Sequence, residues 1–335
     1  MIIVRLFMFL VLAFGLVLAA SGAYTAWRAH QISDRIRPDG SFATVDGVKL
    51  HYHFVPASGE GKDAPFLVFL HGASGNAYDT LMAFRKALEG RYGLLFLDRP
   101  GLGFSERDFS RHSSPEGQAE LIEALLERLG IGRAIVIGHS YGAAVTAALG
   151  LRAPERVTGL AFLAPASHPW PGDVDWYYKL AAMPVAGEIF ARTVALPSAE
   201  MLAPTAIERV FSPNRVPDDY SSRTRLPLVF LPSTFRANSA DIAGLKESVT
   251  RQSKRYPSLS QPALVVTGTR DKVVWPSIHS EGLMRDLPDA DLLVLEGGGH
   301  MPHHTHTDEI ISALDKLVLR VEAKTAGLTQ QARAK

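Results

Sequence analysis

Short apolar runs alternate with amphipathic segments through most of the chain. Six of these runs have the length of a strand and few polar residues, and they lie at 66–72, 93–101, 134–140, 157–166, 263–268 and 291–297. Strands that are apolar on both faces are typical of a parallel sheet covered by helices on both sides. The pattern therefore predicts an α/β protein with a mostly parallel, doubly wound sheet.

The segments between these strands have helix signals at defined places. Ser114 is a suitable N-cap before Pro115, and Gly130 is a suitable end for the same helix. A second helix is predicted to begin at Ser140, and a third to run over 308–322. The remaining tail, 324–335, is polar and is expected to fray.

A hairpin is predicted ahead of the first parallel strand. The runs FATVDG and VKLHYHFV meet at Asp46-Gly47, a dipeptide that favours a tight turn between antiparallel strands. We expect a core built from 38–167 and 258–323, with these two strands at its start.

The stretch 168–257 breaks the alternation of strands and helices. It contains several prolines and many aromatic residues but no run typical of a strand. We predict a mainly helical insertion, which leaves the sheet where open α/β sheets bind ligands. It is either a cap over a pocket or a helical layer that only shields the core.

The N-terminal segment 1–30 is the most apolar part of the chain. No residue from Leu6 to Trp27 is charged, and this stretch is long enough to cross a bilayer as a helix. We predict a single-pass membrane anchor, joined to the body by a short link. Cleavage as a signal peptide near Ala23 is the main alternative and would give an exported form, and a buried core helix is the other. Arg5 precedes the segment and Arg28 follows it, so the side of the membrane is left open.

Charge and cysteine content exclude several function classes. The chain has 35 Lys and Arg against 34 Asp and Glu, a net charge of +1, and no long run of either sign. Such a balance argues against a nucleic-acid partner. The chain contains no cysteine, so disulfides, thiolate metal sites and a cysteine nucleophile are all absent.

One serine lies between two glycines at the end of an apolar strand, in the run VIGHSYGAA. Gly138 and Gly142 would let the strand turn directly into a helix, leaving Ser140 exposed on a strained turn. A serine needs a base and an orienting acid to act as a nucleophile. Asp271, in GTRDKVV, and His300, in LEGGGHMPH, each follow a different predicted strand. We expect these three side chains to form the catalytic group.

The order nucleophile, acid, base resembles that of the α/β-hydrolase fold family, and the resemblance covers roughly 40–322. It implies an α/β-hydrolase fold with a helical cap, and no cofactor. FLHGASGN resembles the oxyanion loop of this family, which implies that the backbone N–H groups of Ala73 and Tyr141 bind the oxyanion. His71, Gly72 and His139 would support these loops, and DRPGLGFS resembles a structural turn of the family.

Three further histidines, His303, His304 and His306, crowd the segment after His300. A loop with three imidazoles could suggest a metal site, but no carboxylate partner is evident in the sequence around them. We expect them to be solvated and expect no metal.

A serine nucleophile excludes the aspartyl-ester chemistry of dehalogenases and epoxide hydrolases, which resemble this fold. Acyl transfer to serine and then to water remains, and it suits a small hydrophobic ester, with lactones, thioesters and perhydrolysis also open. Hydrolysis of a carbon–carbon bond is a further alternative, for which Arg192, Arg209 or Arg236 could hold a substrate carboxylate. A catalytically silent ligand sensor is the alternative from another class.

Overall fold

The computed structural model describes residues 1–57 and 64–333 and contains one eight-stranded sheet. Its strands are β1 (Ser41–Val45), β2 (Val48–Val55), β3 (Phe66–Leu70), β4 (Leu94–Leu97), β5 (Ala134–His139), β6 (Val157–Leu163), β7 (Ala263–Gly268) and β8 (Ala290–Leu295). They lie in the order β1-β2-β4-β3-β5-β6-β7-β8, and β2 is antiparallel to both of its neighbours. The remaining neighbours pair in parallel, as the apolar runs predict.

The predicted hairpin is confirmed. Val45 pairs with Val48, so the turn between β1 and β2 consists of Asp46 and Gly47 alone. Both turn residues have positive φ, which is the backbone conformation that a tight hairpin of this kind requires. This hairpin forms one edge of the sheet.

Helices cover both faces of the sheet. One face carries α3 (Pro115–Arg128) and α4 (Tyr141–Arg152), and the other carries α2 (Ala77–Leu88) and α12 (Thr307–Arg333). A short helix α10 (Ser280–Asp286) precedes β8, and α11 (Pro302–Thr305) precedes α12. The sheet therefore lies between two apolar layers, as expected for strands that are apolar on both faces.

The helix ends agree with the sequence signals, with one correction. The Ser114 side chain accepts a hydrogen bond from the N–H of Gly117 at the start of α3, and Gly130 follows its end with φ +69°. The third predicted helix is longer than the expected 308–322, because α12 continues to Arg333, and the fraying of the tail stays a prediction.

The longer elements of the segment between β6 and β7 are all helices. It contains α5 (Trp176–Ala182), α6 (Pro184–Phe190), a π-helical turn (Ala191–Ala195), α7 (Leu196–Phe211), α8 (Tyr220–Arg223) and α9 (Pro232–Gln252). Two 3₁₀ turns, Leu226–Phe230 and Ser253–Ser258, complete it. We call this segment the cap.

The N-terminal segment forms a single long helix, α1 (Ile2–Arg35). The helix extends into the stretch where a separate short link between the anchor and the body was expected. Its first half is exposed and has the length and composition of a membrane span. Its second half packs on the cap, where the hydroxyl of Ser21 donates to the carbonyl of Thr193 at 2.6 Å. Farther along, Ile32 is buried against Leu196 and Leu228.

Candidate active site

Ser140 lies on a strained turn between β5 and α4. Its φ is +50° and its ψ is −114°, a conformation that an L-residue rarely adopts. The flanking glycines make the turn possible, because a Cβ on Gly138 or Gly142 would overlap a backbone carbonyl oxygen. The turn brings the Ser140 side chain to the carboxyl edge of the sheet, half-exposed at the start of α4.

A continuous hydrogen-bonded row joins the three predicted catalytic side chains. Nε2 of His300 lies 3.1 Å from Oγ of Ser140, and its Nδ1 lies 2.8 Å from Oδ2 of Asp271. Because an ionised carboxylate only accepts hydrogen bonds, Nδ1 carries the proton and Nε2 is left to accept the serine hydroxyl. The structure therefore brings together residues that are up to 160 positions apart.

Both partners of Ser140 are themselves held in place. Oδ1 of Asp271, just after β7, accepts the backbone N–H groups of Val273 and Val274 at 2.8 and 3.0 Å. The backbone carbonyl of His300 accepts Nε2–H of His139 at 2.9 Å. Asp271 is thus fixed by its own turn, and His300 by a neighbour of the serine.

The predicted oxyanion loop follows β3 and lies beside Ser140. A Cβ on Gly72 would come within 2.8 Å of the His139 ring, so this approach requires glycine. The N–H of Ser74, directly after Ala73, donates to Oδ1 of Asn238 at 2.6 Å. Tyr141 is the first residue of α4, where N–H groups have no intrahelical acceptor.

The rings of His71 and His139 are both hydrogen-bonded to backbone groups. The backbone N–H of Arg99 donates to Nε2 of His71 at 3.0 Å, so Nδ1–H of His71 donates to the carbonyl of Gly72. Burial, assisted by the Arg99 charge, lowers the pKa of His71 to about 3. Burial also holds the pKa of His139 well below its ordinary value. Both rings are therefore neutral over the physiological range.

The expectation that the later histidines are solvated is wrong for His303 and His304. Both are buried, and their Nε2 atoms lie 3.0 and 2.8 Å from the two carboxylate oxygens of Asp79 on α2. Burial alone would raise the pKa of Asp79, but the two facing imidazoles hold it well below its ordinary value. The carboxylate that the sequence appeared to lack comes from 224 residues away.

This cluster has the composition of a possible metal site. Ligand-type atoms of Asp79, His139 and His303 all lie within 4.8 Å of one another. However, both oxygens of Asp79 and Nε2 of His139 are already engaged in hydrogen bonds within the protein. We interpret the group as a hydrogen-bonded support behind His300, and the absence of a metal stays a prediction.

Sequence reasoning missed the contribution of α9 to the site. Besides Asn238, this helix supplies Asp241, which is fully buried and accepts hydrogen bonds from Arg99 and Gln118. Nε of Arg99 in turn donates to the carbonyl of His71 at 2.8 Å, so α9 is linked to the oxyanion loop twice. Asn and Asp on a polar helix usually lie on its exposed face. No local sequence signal indicates that Asn238 and Asp241 are buried.

Comparison with known proteins decides the family. Residues 65–307 match the family model described as the alpha/beta hydrolase fold. The chain belongs to the α/β-hydrolase fold family. It is 26% identical over 277 residues to a 2-hydroxy-6-oxononadienedioate/2-hydroxy-6-oxononatrienedioate hydrolase of Burkholderia vietnamiensis, across 78% of this chain and 89% of that relative.

Solved structures agree with this assignment at the level of the fold. An enol-lactonase from Burkholderia xenovorans superposes with a TM-score of 0.66 at 21% identity, covering 83% of this α/β hydrolase and 100% of that chain. A thermophilic esterase from Thermogutta terrifontis gives a TM-score of 0.65 at 19% identity, covering 84% and 99%. The relatives are enzymes that hydrolyse different bonds, and this chain is a hydrolase of the same family.

Proposed function

We propose that this α/β hydrolase is a serine hydrolase that transfers the acyl group of a hydrophobic carboxylic ester to Ser140 and then to water. The observation that carries the proposal is the unbroken row from Ser140 through His300 to Asp271, with 3.1 and 2.8 Å between the bonded atoms. Serine, imidazole and carboxylate in this arrangement are the elements of nucleophilic acyl transfer.

Acylation begins when Oγ of Ser140 attacks the ester carbonyl carbon while Nε2 of His300 takes the hydroxyl proton. The carbonyl π electrons move to oxygen, and the resulting oxyanion accepts hydrogen bonds from the N–H groups of Ala73 and Tyr141. When the carbon–oxygen bond to the alcohol breaks, Nε2 of His300 gives its proton to the leaving alkoxide. Asp271 stabilises the transient imidazolium through Nδ1.

Deacylation repeats the sequence with water as the nucleophile. Nε2 of His300 removes a proton from the water as its oxygen attacks the acyl carbon, and the same two N–H groups bind the oxyanion. Collapse breaks the bond to Oγ of Ser140, which recovers its proton from His300. The products are a carboxylic acid and an alcohol, and the enzyme returns to its starting state.

Apolar residues of the cap support the preference for a hydrophobic substrate. Phe235 lies one turn before Asn238 on α9, the helix that is bonded to the oxyanion loop, and its ring lies 6.3 Å from that of Phe190. An aromatic pair that includes a residue of this helix suits an alkyl or acyl chain.

Hydrolysis of a carbon–carbon bond is the second candidate, because the Burkholderia vietnamiensis relative bears the name of such an enzyme. The arginines considered for a substrate carboxylate give it little support. Arg192 and Arg236 both pair with Glu188 on the cap, and Arg209 is exposed. We therefore rank ester hydrolysis first.

The proposal is tested by turnover of p-nitrophenyl esters that range from acetyl to dodecanoyl, beside a lactone and a dienolic diketone. Replacement of Ser140 by alanine is expected to lower kcat by roughly 10⁴- to 10⁶-fold. Ser167→Ala is the matched control, because Ser167 is also a serine near a strand end but is buried and bonds to His168 and His279. Faster turnover of the diketone than of every ester would favour the second candidate.

We further propose that α1 is retained as a single-pass membrane anchor. The contacts of Ser21 and Ile32 with the cap support retention, since cleavage after Ala23 would divide a helix that packs on the folded body. Full-length protein is expected to stay with membranes in high salt, because burial of roughly twenty apolar residues is insensitive to ionic screening. A mature N-terminus after Ala23 would contradict this proposal.

A further inference from the structure

The polar contacts between helix α1 and the cap follow the same order along both segments. Ser21 bonds to the carbonyl of Thr193, and seven residues later Arg28 bonds to Glu200, which is seven residues after Thr193. Tyr24, between them, donates to the other carboxylate oxygen of Glu200 at 2.7 Å. The cap residues before Thr193 therefore extend toward the apolar half of α1.

The part of the cap that extends this way is α6. Val185 precedes Thr193 by eight residues, or about 12 Å along a helix axis. At Met183 the chain bends by 113° into α5, so the two arms Trp176–Ala182 and Pro184–Phe211 form a bent pair. Together the arms have the length and apolar composition of a broken or re-entrant membrane segment. We call this pair of arms the cap hairpin.

Large apolar side chains are exposed on the cap hairpin around its bend. Val185 is 74% exposed, and Trp176, Met183 and Ile189 are each more than half exposed. Such a concentration of exposed apolar surface is unusual for a protein surrounded by water. Near the bend, Glu188 bonds to both Arg192 and Arg236. Paired charges lower the penalty for approaching a lipid surface.

Aromatic residues on α1 indicate the level of the bilayer surface. Tyr24 and Trp27 follow the apolar half of α1 and are 39% and 54% exposed, and Arg28 comes next. Tyrosine and tryptophan concentrate where the hydrocarbon meets the head groups. With this level at Tyr24, the bend at Met183 lies on the hydrocarbon side of the surface.

We propose that the cap hairpin is a second membrane-binding surface whose partner is the lipid bilayer. Its bend, with Met183, Val185 and Ile189, enters the leaflet from which α1 emerges. This proposal rests on the proposed anchor but not on the chemistry at Ser140. The cap is thereby held against the bilayer at two points, α1 and its own bend.

The absence of cysteine in the chain allows a direct test with single cysteines in the full-length protein. Val185→Cys reports on the bend, and Val294→Cys, 51% exposed on the edge strand β8, is the matched apolar control. Leu10→Cys reports separately on α1. Each is labelled with an environment-sensitive NBD dye in phosphatidylcholine–phosphatidylglycerol vesicles, with and without lipids that carry a doxyl quencher in the acyl chain. A circular dichroism spectrum and a melting temperature that match those of the unlabelled protein show that each variant is folded.

We expect doxyl lipids to quench the dye at positions 185 and 10, by at least twofold more than at position 294. Quenching at 10 but not at 185 would overturn the cap proposal while leaving the anchor intact. Quenching at neither position would overturn both. A blue-shifted, unquenched dye at 185 that depends on the protein-to-lipid ratio would place a second copy of the chain on the hairpin and also overturn the proposal. None of these outcomes depends on the ester that the enzyme prefers.

Discussion

Arg99 and Asp241 form an ion pair that is completely buried between the core and the cap, with Nη1 and Oδ2 2.8 Å apart. Arg107 bonds to the other oxygen of the same carboxylate. Because Arg99 also donates to the carbonyls of His71 and Gly72, this one pair connects the cap helix α9 with the oxyanion loop. The free energy of unfolding and the geometry of the oxyanion loop therefore both depend on the carboxylate of Asp241.

Replacing Asp241 by asparagine is expected to lower the free energy of unfolding by about 3–5 kcal/mol, because two buried guanidinium groups lose their counter-charge. Glu247→Gln, on the same helix, is the matched control, since Glu247 pairs with Arg251 on the exposed surface. The control should change the free energy by less than about 1 kcal/mol. Denaturant unfolding in detergent measures both, and equal effects would contradict the role of the buried pair.

Asn238→Ala is expected to lower kcat by about tenfold with little change in KM, because the loop that presents Ala73 loses the bond to Ser74. The neighbouring Ser239→Ala removes a hydroxyl that bonds within its own helix, to the carbonyl of Phe235, and should leave kcat unchanged. Steady-state kinetics on one ester distinguishes the two variants. A rise in KM alone would assign Asn238 to substrate binding instead.

The buried ring of His279 makes the free energy of unfolding depend on pH. Its Nδ1 accepts the backbone N–H groups of Ser167 and His168, both at 3.1 Å, so the ring must be neutral. Burial, with the facing His168, lowers its pKa from 6.5 to about 4. Between these values the unfolded chain binds the proton and the folded chain does not, so stability rises with pH through this window.

The contribution of His279 is therefore complete above about pH 6.5 and is lost as the pH falls toward about 4. His279→Asn keeps an acceptor near the two N–H groups but does not titrate. We expect its melting temperature to fall less steeply than that of the native protein as the pH is lowered from about 7 to about 4.5. Parallel curves for the two proteins would refute this assignment.

Chelation tests the cluster around Asp79. Dialysis against EDTA is expected to leave ester turnover unchanged, because Asp79 is already bonded to His303 and His304. Elemental analysis of the purified protein should find no stoichiometric transition metal. Loss of turnover that one divalent ion restores would instead make this cluster a metal centre.

The sequence alone predicts the sheet and the three candidate catalytic residues, because both depend on local patterns. Apolar runs indicate the strands, and glycines around Ser140 indicate its turn. The partners of the site could not be predicted this way, since the bond from Asn238 to Ser74 and that from His303 to Asp79 join positions 164 and 224 residues apart. Such pairings exist only once the cap and α2 have packed.

The packing of α1 on the cap could not be predicted from the sequence either. Its apolar half predicts a membrane helix by composition, but nothing in the pattern indicates that Ser21 and Arg28 contact the cap. A hydroxyl and a guanidinium near the end of a membrane segment are common and suit an aqueous boundary equally well. Only the folded structure pairs them with Thr193 and Glu200.

Transfer of the acyl group to Ser140 is the central step of the proposed turnover. Its most direct test is mass spectrometry of the enzyme quenched in acid during the hydrolysis of p-nitrophenyl acetate. We predict an acetylated peptide from the 134–152 region, with the acetyl group on Ser140, and its absence from His300→Ala, which cannot activate the hydroxyl. Undiminished turnover with no acetyl group on Ser140, or with the group on another residue, would contradict the account.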